Sequence, residues 1–192
     1  MTWRLQPAGV GLRHAMARLL GLRVEGAERV PASAPLIVVA DHARRQVDPL
    51  LLALATPRAT TFLSGRDLRR RLLLRLAERM SEVLYVPGDT GSLPRFRRQC
   101  GAALARGAAL VVFPEGAAMG DGAGVFRDGA AYLALSAGAW LSPAWIGRCG
   151  RHRFTVRFGP PISPPTGPLN RGTVSRLTGE IQAAIIALKA ER

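Results

Sequence analysis

The chain has 192 residues, enough for one domain with a sizeable core. Its 27 Lys and Arg against 13 Asp and Glu give a net charge of +14, carried almost wholly by arginine. This implies an anionic partner: a phospholipid surface, a phosphorylated ligand, an acidic carrier protein or nucleic acid. Cys100 and Cys149 have no metal-ligand spacing and no apolar run reaches bilayer-spanning length. The expectation is therefore a reduced, metal-free cytoplasmic protein without a signal peptide, for which any membrane contact is peripheral.

Alternating apolar strands and helical stretches predict a single α/β domain, with a mostly parallel central sheet flanked by helices and a short N-terminal helix. Residues 8–20 read as that helix, with Val10, Ala17, Leu19 and Leu20 apolar and Arg13, His14 and Arg18 polar. Trp3 just before it suits either a headgroup boundary or ordinary docking. The boundary falls there: residues 1–21 form an amphipathic segment and 22–192 the main domain. Residues 22–26 read as a short strand and turn, and 36–40 as a buried β-branched strand. Pro49 then suits the first turn of a helix that stops near Pro57.

Residues 60–64 make the next strand, and 66–80 a helix with Leu68, Leu72, Leu76 and Met80 every fourth residue. Its six arginines (Arg66, Arg69, Arg70, Arg71, Arg75, Arg79) against two acids suggest an anion-facing surface. Residues 83–86 read as a third core strand. A helix over 92–106 carries Arg95, Arg97 and Arg98 near its start, and Gly107 suits its C-terminal cap. A strand over 109–113 follows. The glycine-rich stretch 117–124 lacks the Gly-Lys-Ser/Thr ending of a phosphate-binding loop and reads as a lid or plain loop. Residues 128–137 form a short helix, 141–146 and 154–158 two strands, and 160–168 a Pro-rich linker. The final helix repeats its apolar face at Val174, Leu177, Ile181, Ile185 and Leu188.

Two polar turns follow buried strands, the place where open α/β sheets put their chemistry. The first, after Leu36-Ile37-Val38-Val39-Ala40, holds Asp41-His42 and, further on, Asp48. A histidine accepts a proton near neutral pH, and a nearby carboxylate fixes its tautomer. The second turn is Phe113-Pro114-Glu115-Gly116.

With both turns in view, the chain resembles the glycerolipid (lysophospholipid) acyltransferase family, the 1-acylglycerol-3-phosphate acyltransferases in particular. The family's Asn/Ser-His-x(4)-Asp motif, followed by Pro and leucines, is similar to Asp41-His42 and Asp48-Pro49-Leu50-Leu51-Leu52. Its Phe-Pro-Glu-Gly-Thr motif is similar to Phe113-Pro114-Glu115-Gly116. Phe126-Arg127-Asp128-Gly129-Ala130 resembles its Phe-Lys-x-Gly segment, and Ser142-Pro143-Ala144-Trp145-Ile146 its Val-Pro-Val-x-Ile strand. The resemblance runs from about Leu22 to Ile162.

It implies transfer of an acyl group from acyl-CoA or acyl carrier protein to a hydroxyl of a lysolipid at an anionic membrane surface. His42 would be general base and Asp48 its orienting carboxylate. Glu115 would hold the acceptor's polar head and Gly116 permit close backbone approach. No cofactor is implied beyond the acyl donor.

The chain departs from the pattern in three places. His42 and Asp48 are separated by one residue more than in the family, which would turn Asp48 by about 100° if the segment were helical. The residue before the histidine is Asp41. Gly88 and Ala118 stand where the family carries arginines, so Arg44, Arg45 and Arg66 become candidates to hold a phosphate. Two alternatives stay open: a non-catalytic lipid- or acyl-binding relative, and acyl transfer to a non-phosphate acceptor. Nucleic acid is the weakest partner, because the aromatics are sparse and not interleaved with the basic runs.

Overall fold

The computed structural model describes residues 13, 15–41, 47–65, 81–114, 126–148, 153–164 and 168–191. Seven strands form one sheet: β1 (Leu22–Glu25), β2 (Leu36–Ala40), β3 (Thr60–Ser64), β4 (Glu82–Tyr85), β5 (Ala109–Val112), β6 (Trp140–Gly147) and β7 (Phe154–Phe158). Their order across the sheet is β1-β7-β6-β2-β5-β3-β4. Strands β6, β2, β5, β3 and β4 run parallel; β7 is antiparallel to β6, and β1 is parallel to β7. The single, mostly parallel α/β domain expected from the sequence is what forms.

Strand β2 lies at the centre, and all five of its side chains are fully buried. That is why its sequence is a continuous apolar run instead of an alternating one. Its pleat sends Ile37 and Val39 into one core and Leu36, Val38 and Ala40 into the other. The first core is closed by three helices: α2 (Leu93–Ala105), α3 (Gly129–Ala137) and α4 (Arg171–Ala190). The α4 stripe read from the sequence, Val174, Leu177, Ile181, Ile185 and Leu188, is buried at every position. The second core is closed by α1 (Asp48–Ala55), of which every residue is buried. Leu50 and Leu54, on the outer side of α1, are covered in turn by Met16, Leu20 and Leu22.

Helix α2 ends in a Schellman motif. Gly107, at φ 80°, donates to Leu104, and Ala108 donates to Ala103, so the chain reverses directly into β5. Cys100 faces the core, where desolvation pushes its thiol up to about 11, as a structural cysteine requires.

Four sequence expectations are corrected. In the N-terminal segment Arg13 does not face water: its guanidinium donates to the carbonyls of Ala53 and Thr56 at the end of α1, and desolvation lowers its pKa. Leu19, taken as part of the apolar face, is 87% exposed, and Met16 takes the docking position instead. The third strand is not a core strand but an edge strand. It ends at Tyr85, only Leu84 is buried, and Val86 is exposed. Finally, the Pro-rich stretch is not a free linker, because Ile162 exchanges two backbone hydrogen bonds with Leu141 of β6. The anticipated helix over 66–80 and the glycine-rich stretch 117–124 lie outside the described residues.

Candidate active site

Strands β2 and β5 are hydrogen-bonded neighbours in parallel register, with Val39 beside Val112. Parallel neighbours release the following residues at the same edge of the sheet. Asp41 therefore leaves β2, and Phe113 and Pro114 leave β5, on one rim. Strands β3 and β4 end on that rim too, where the N–H of Val86 donates to the carbonyl of Ser64 at 2.8 Å. Strand β6 passes it with Ala144 beside Ala40.

Of the residues expected to form the site, Asp48 is described. It is the first residue of α1 and its side chain is fully buried. Pro49 behind it presets the helical backbone, and a helix N-terminus electrostatically favours an acidic side chain. Because the helix begins at Asp48 and Val47 stands outside it, the extra residue in the His42–Asp48 spacing falls before the helix. His42, Arg44, Arg45, Arg66, Glu115 and Gly116 lie outside the described residues.

The ends of the stretch that carries Glu115 and Gly116 are joined. The backbone N–H of Arg127 donates to the carbonyl of Pro114 at 3.0 Å, and Phe126 packs into the same core as Val112 and Leu63. This brings two separate sequence segments, Phe113-Pro114 and Phe126-Arg127-Asp128-Gly129, to one place on the rim. The second is tied to the C-terminal helix, where Thr178 Oγ1 donates to Asp128 Oδ1 at 2.8 Å. Reading the sequence did not find this link. Its signal was a hydroxyl inside an otherwise apolar helical stripe, between Val174 and Ile181.

At Gly88 the backbone does not take a positive φ, and an added Cβ would meet nothing within 4 Å. Among the described residues, the fold thus leaves open space for a side chain to start there. Nearby, in the turn that leads into α2, Asp89 Oδ1 accepts from the Ser92 N–H at 2.8 Å; that backbone bond, with the Ser92 side chain, holds the carboxyl below its usual value. Further along α2, the Arg97 guanidinium lies 5.3 Å from the centre of the Tyr132 ring on α3.

Among the described residues, no three His, Cys, Asp or Glu side chains are grouped to hold a metal ion, and no helix is long and apolar enough to cross a membrane.

A family model described as acyltransferase matches residues 21–147. Among solved structures, the fold is similar to that of the 1-acyl-sn-glycerophosphate (LPA) acyltransferase PlsC from Thermotoga maritima. The TM-score is 0.68 at 20% identity, covering 99% of this chain and 86% of that one. Among curated proteins, sequence comparison finds no match.

Proposed function

The chain belongs to the acyltransferase family, and from that premise we propose that it moves an acyl group from a thioester donor, acyl-CoA or acyl carrier protein, to a hydroxyl of a lysolipid at an anionic membrane surface. The observation that supports this reading is the parallel pairing of β2 and β5, which starts both motif-bearing turns from one sheet edge. The fold it shares with the T. maritima enzyme agrees with it.

The chemistry needs few parts. His42 takes the acceptor hydroxyl proton as the oxygen attacks the thioester carbonyl. Asp48 holds the ring in the required tautomer and stabilises its cation. Collapse of the tetrahedral intermediate forms the ester and expels the thiolate, which leaves as thiol with the proton from His42. Glu115 and Gly116 engage the acceptor's polar head, and Arg44, Arg45 and Arg66 supply positive charge beside it. No covalent enzyme intermediate is required.

The acceptor is a lysolipid for which a fixed arginine–phosphate pair is not essential. Among the described residues, Gly88 stands in open space, and nothing in the local backbone demands glycine. Lysophosphatidate is accordingly not the clearly preferred acceptor. The test is thiol release from acyl-CoA and from acyl carrier protein over a panel of lysolipids, with products identified by mass spectrometry. An acylated lysolipid supports the reading; thiol release without one, or no turnover with any pair, refutes it.

A further inference from the structure

We infer that the lip formed by the end of β4 and the first turns of α2 is the surface that seats the protein on an anionic lipid bilayer. The inference rests on the acyl-transfer reading for its purpose, but its observations are separate. Most large apolar side chains of the described residues are buried, yet three exposed ones cluster within nine positions: Tyr85 at 40%, Val86 at 43% and Leu93 at 38%. They are the end of an edge strand, the residue after it, and the first residue of a helix, on the rim from which β2 and β5 release the candidate motifs.

Charge completes the lip. Arg95, Arg97 and Arg98 are all exposed on the first two turns of α2, Arg97 with its guanidinium over the Tyr132 ring, while Phe96 and Cys100 between and beyond them anchor the helix to the core. From Thr90 to Pro114 the sequence contains no acidic residue. Asp89, the acid just before this stretch, is occupied in accepting the Ser92 N–H ahead of α2. Pro94 in the first turn and the Asp89–Ser92 turn ahead of it fix the backbone where α2 starts, and with it the positions from which these side chains project.

Aliphatic and aromatic side chains that reach out beside arginines are the pattern of an interfacial segment: the apolar groups enter the headgroup boundary and the arginines meet anionic lipid. An acidic protein would account for the arginines but leaves Val86 and Leu93 unexplained. A bilayer accounts for both. It also places the lip where a membrane-borne acceptor would approach the rim.

The experiment uses the full chain with vesicles of phosphatidylcholine alone and of phosphatidylcholine mixed with phosphatidylglycerol. Flotation measures binding, and turnover is measured in parallel with a short-chain lysolipid kept monomeric in solution. Arg95→Gln/Arg97→Gln/Arg98→Gln should weaken binding to the anionic vesicles on the order of a hundredfold, at about fivefold per arginine that reaches the surface. Val86→Asp/Leu93→Asp should weaken binding to both vesicle types. Both variants should keep wild-type turnover of the monomeric acceptor, which also shows that they fold. Arg171→Gln/Arg176→Gln on α4, away from the lip, should bind as wild type does.

Undiminished vesicle binding by both lip variants overturns the proposal. So does an effect confined to turnover with acyl carrier protein as donor, which would make the lip a protein-docking surface. If the wild type floats with anionic vesicles through this lip yet acylates no acceptor, the lip stands and the acyl-transfer reading falls.

Discussion

Arg127 donates its backbone N–H to the carbonyl of Pro114, and this one hydrogen bond closes the base of the segment that carries Glu115 and Gly116. The acceptor atom belongs to the residue just before that segment, and the donor to the residue just before the cap of α3. That bond is the neck at which the two described ends, Pro114 and Arg127, meet. The neck is itself anchored, through Asp128, to Thr178 of the C-terminal helix.

Removing that anchor gives the first prediction. Thr178→Val keeps the side-chain volume but deletes the hydroxyl that bonds Asp128 and the Val174 carbonyl. Asp128 is exposed enough to be taken up by water, so urea unfolding should show a loss of about 1 kcal/mol. In a double-mutant cycle with Asp128→Ala the two losses should not add. Additivity would mean that the bond contributes nothing.

Arg58 is buried and holds three carbonyls together: Pro31 at 2.8 Å, Ala34 at 2.7 Å and Gly107 at 2.8 and 3.1 Å. It thereby fixes the approaches to β2 and β5, the two strands that carry the motifs. Arg58→Met should cost on the order of 3 kcal/mol in denaturant unfolding, because the carbonyls lose a charged donor. Arg58→Lys should recover only part, since a single ammonium cannot span the guanidinium fork. Wild-type stability in Arg58→Met would contradict this.

The Asp89–Ser92 turn ahead of α2 carries a pH signature. Its folded carboxyl lies below the ordinary value, chiefly through the Ser92 backbone N–H. The stabilisation is therefore present above the ordinary carboxylate range and is lost as pH falls through the lowered folded value. Unfolding curves of wild type and Asp89→Ala should differ near neutrality and converge in acid. A gap that stays constant over the whole range would show that the carboxylate charge plays no part.

Acceptor choice turns on Gly88. Since an added side chain there meets open space, Gly88→Arg should fold normally. The variant should shift the kcat/KM ratio towards lysophosphatidate by about tenfold or more over an uncharged-head lysolipid, the scale of one charge-assisted hydrogen bond. An unchanged ratio would mean that position 88 does not face the acceptor's head.

The parts of the fold legible in the sequence were those whose pattern is local. β2 announced itself by a β-branched run buried on both faces, and α4 by a stripe at helical spacing that proved buried throughout. The pairing of the two motif strands was legible because both end in polar turns, a property of parallel sheets that the chain order carries with it. What escaped depends on partners far along the chain. Nothing local tells Arg13 from its exposed neighbour Arg18, because its acceptors lie at the end of α1, Ala53 and Thr56. The 83–86 run has the composition of a core strand, and only its neighbourless side in the sheet makes it an edge. Ile162 looked like part of a linker because a two-residue bridge to Leu141 leaves no periodicity. At the site, the helix start at Asp48 followed from Pro49, whereas the burial of Asp48 and the Thr178–Asp128 tie depend on packing that the sequence does not show locally.

The most direct test of the account is the turnover of His42→Ala beside wild type, with the thioester donor and the best acceptor of the lysolipid panel. If His42 is the base, kcat should fall by roughly three powers of ten or more, the scale for a general base acting with its positioning partner. The unfolding curve should stay unchanged, and Asp48→Asn should reduce turnover in the same direction. Wild-type turnover in a folded His42→Ala protein would contradict the account.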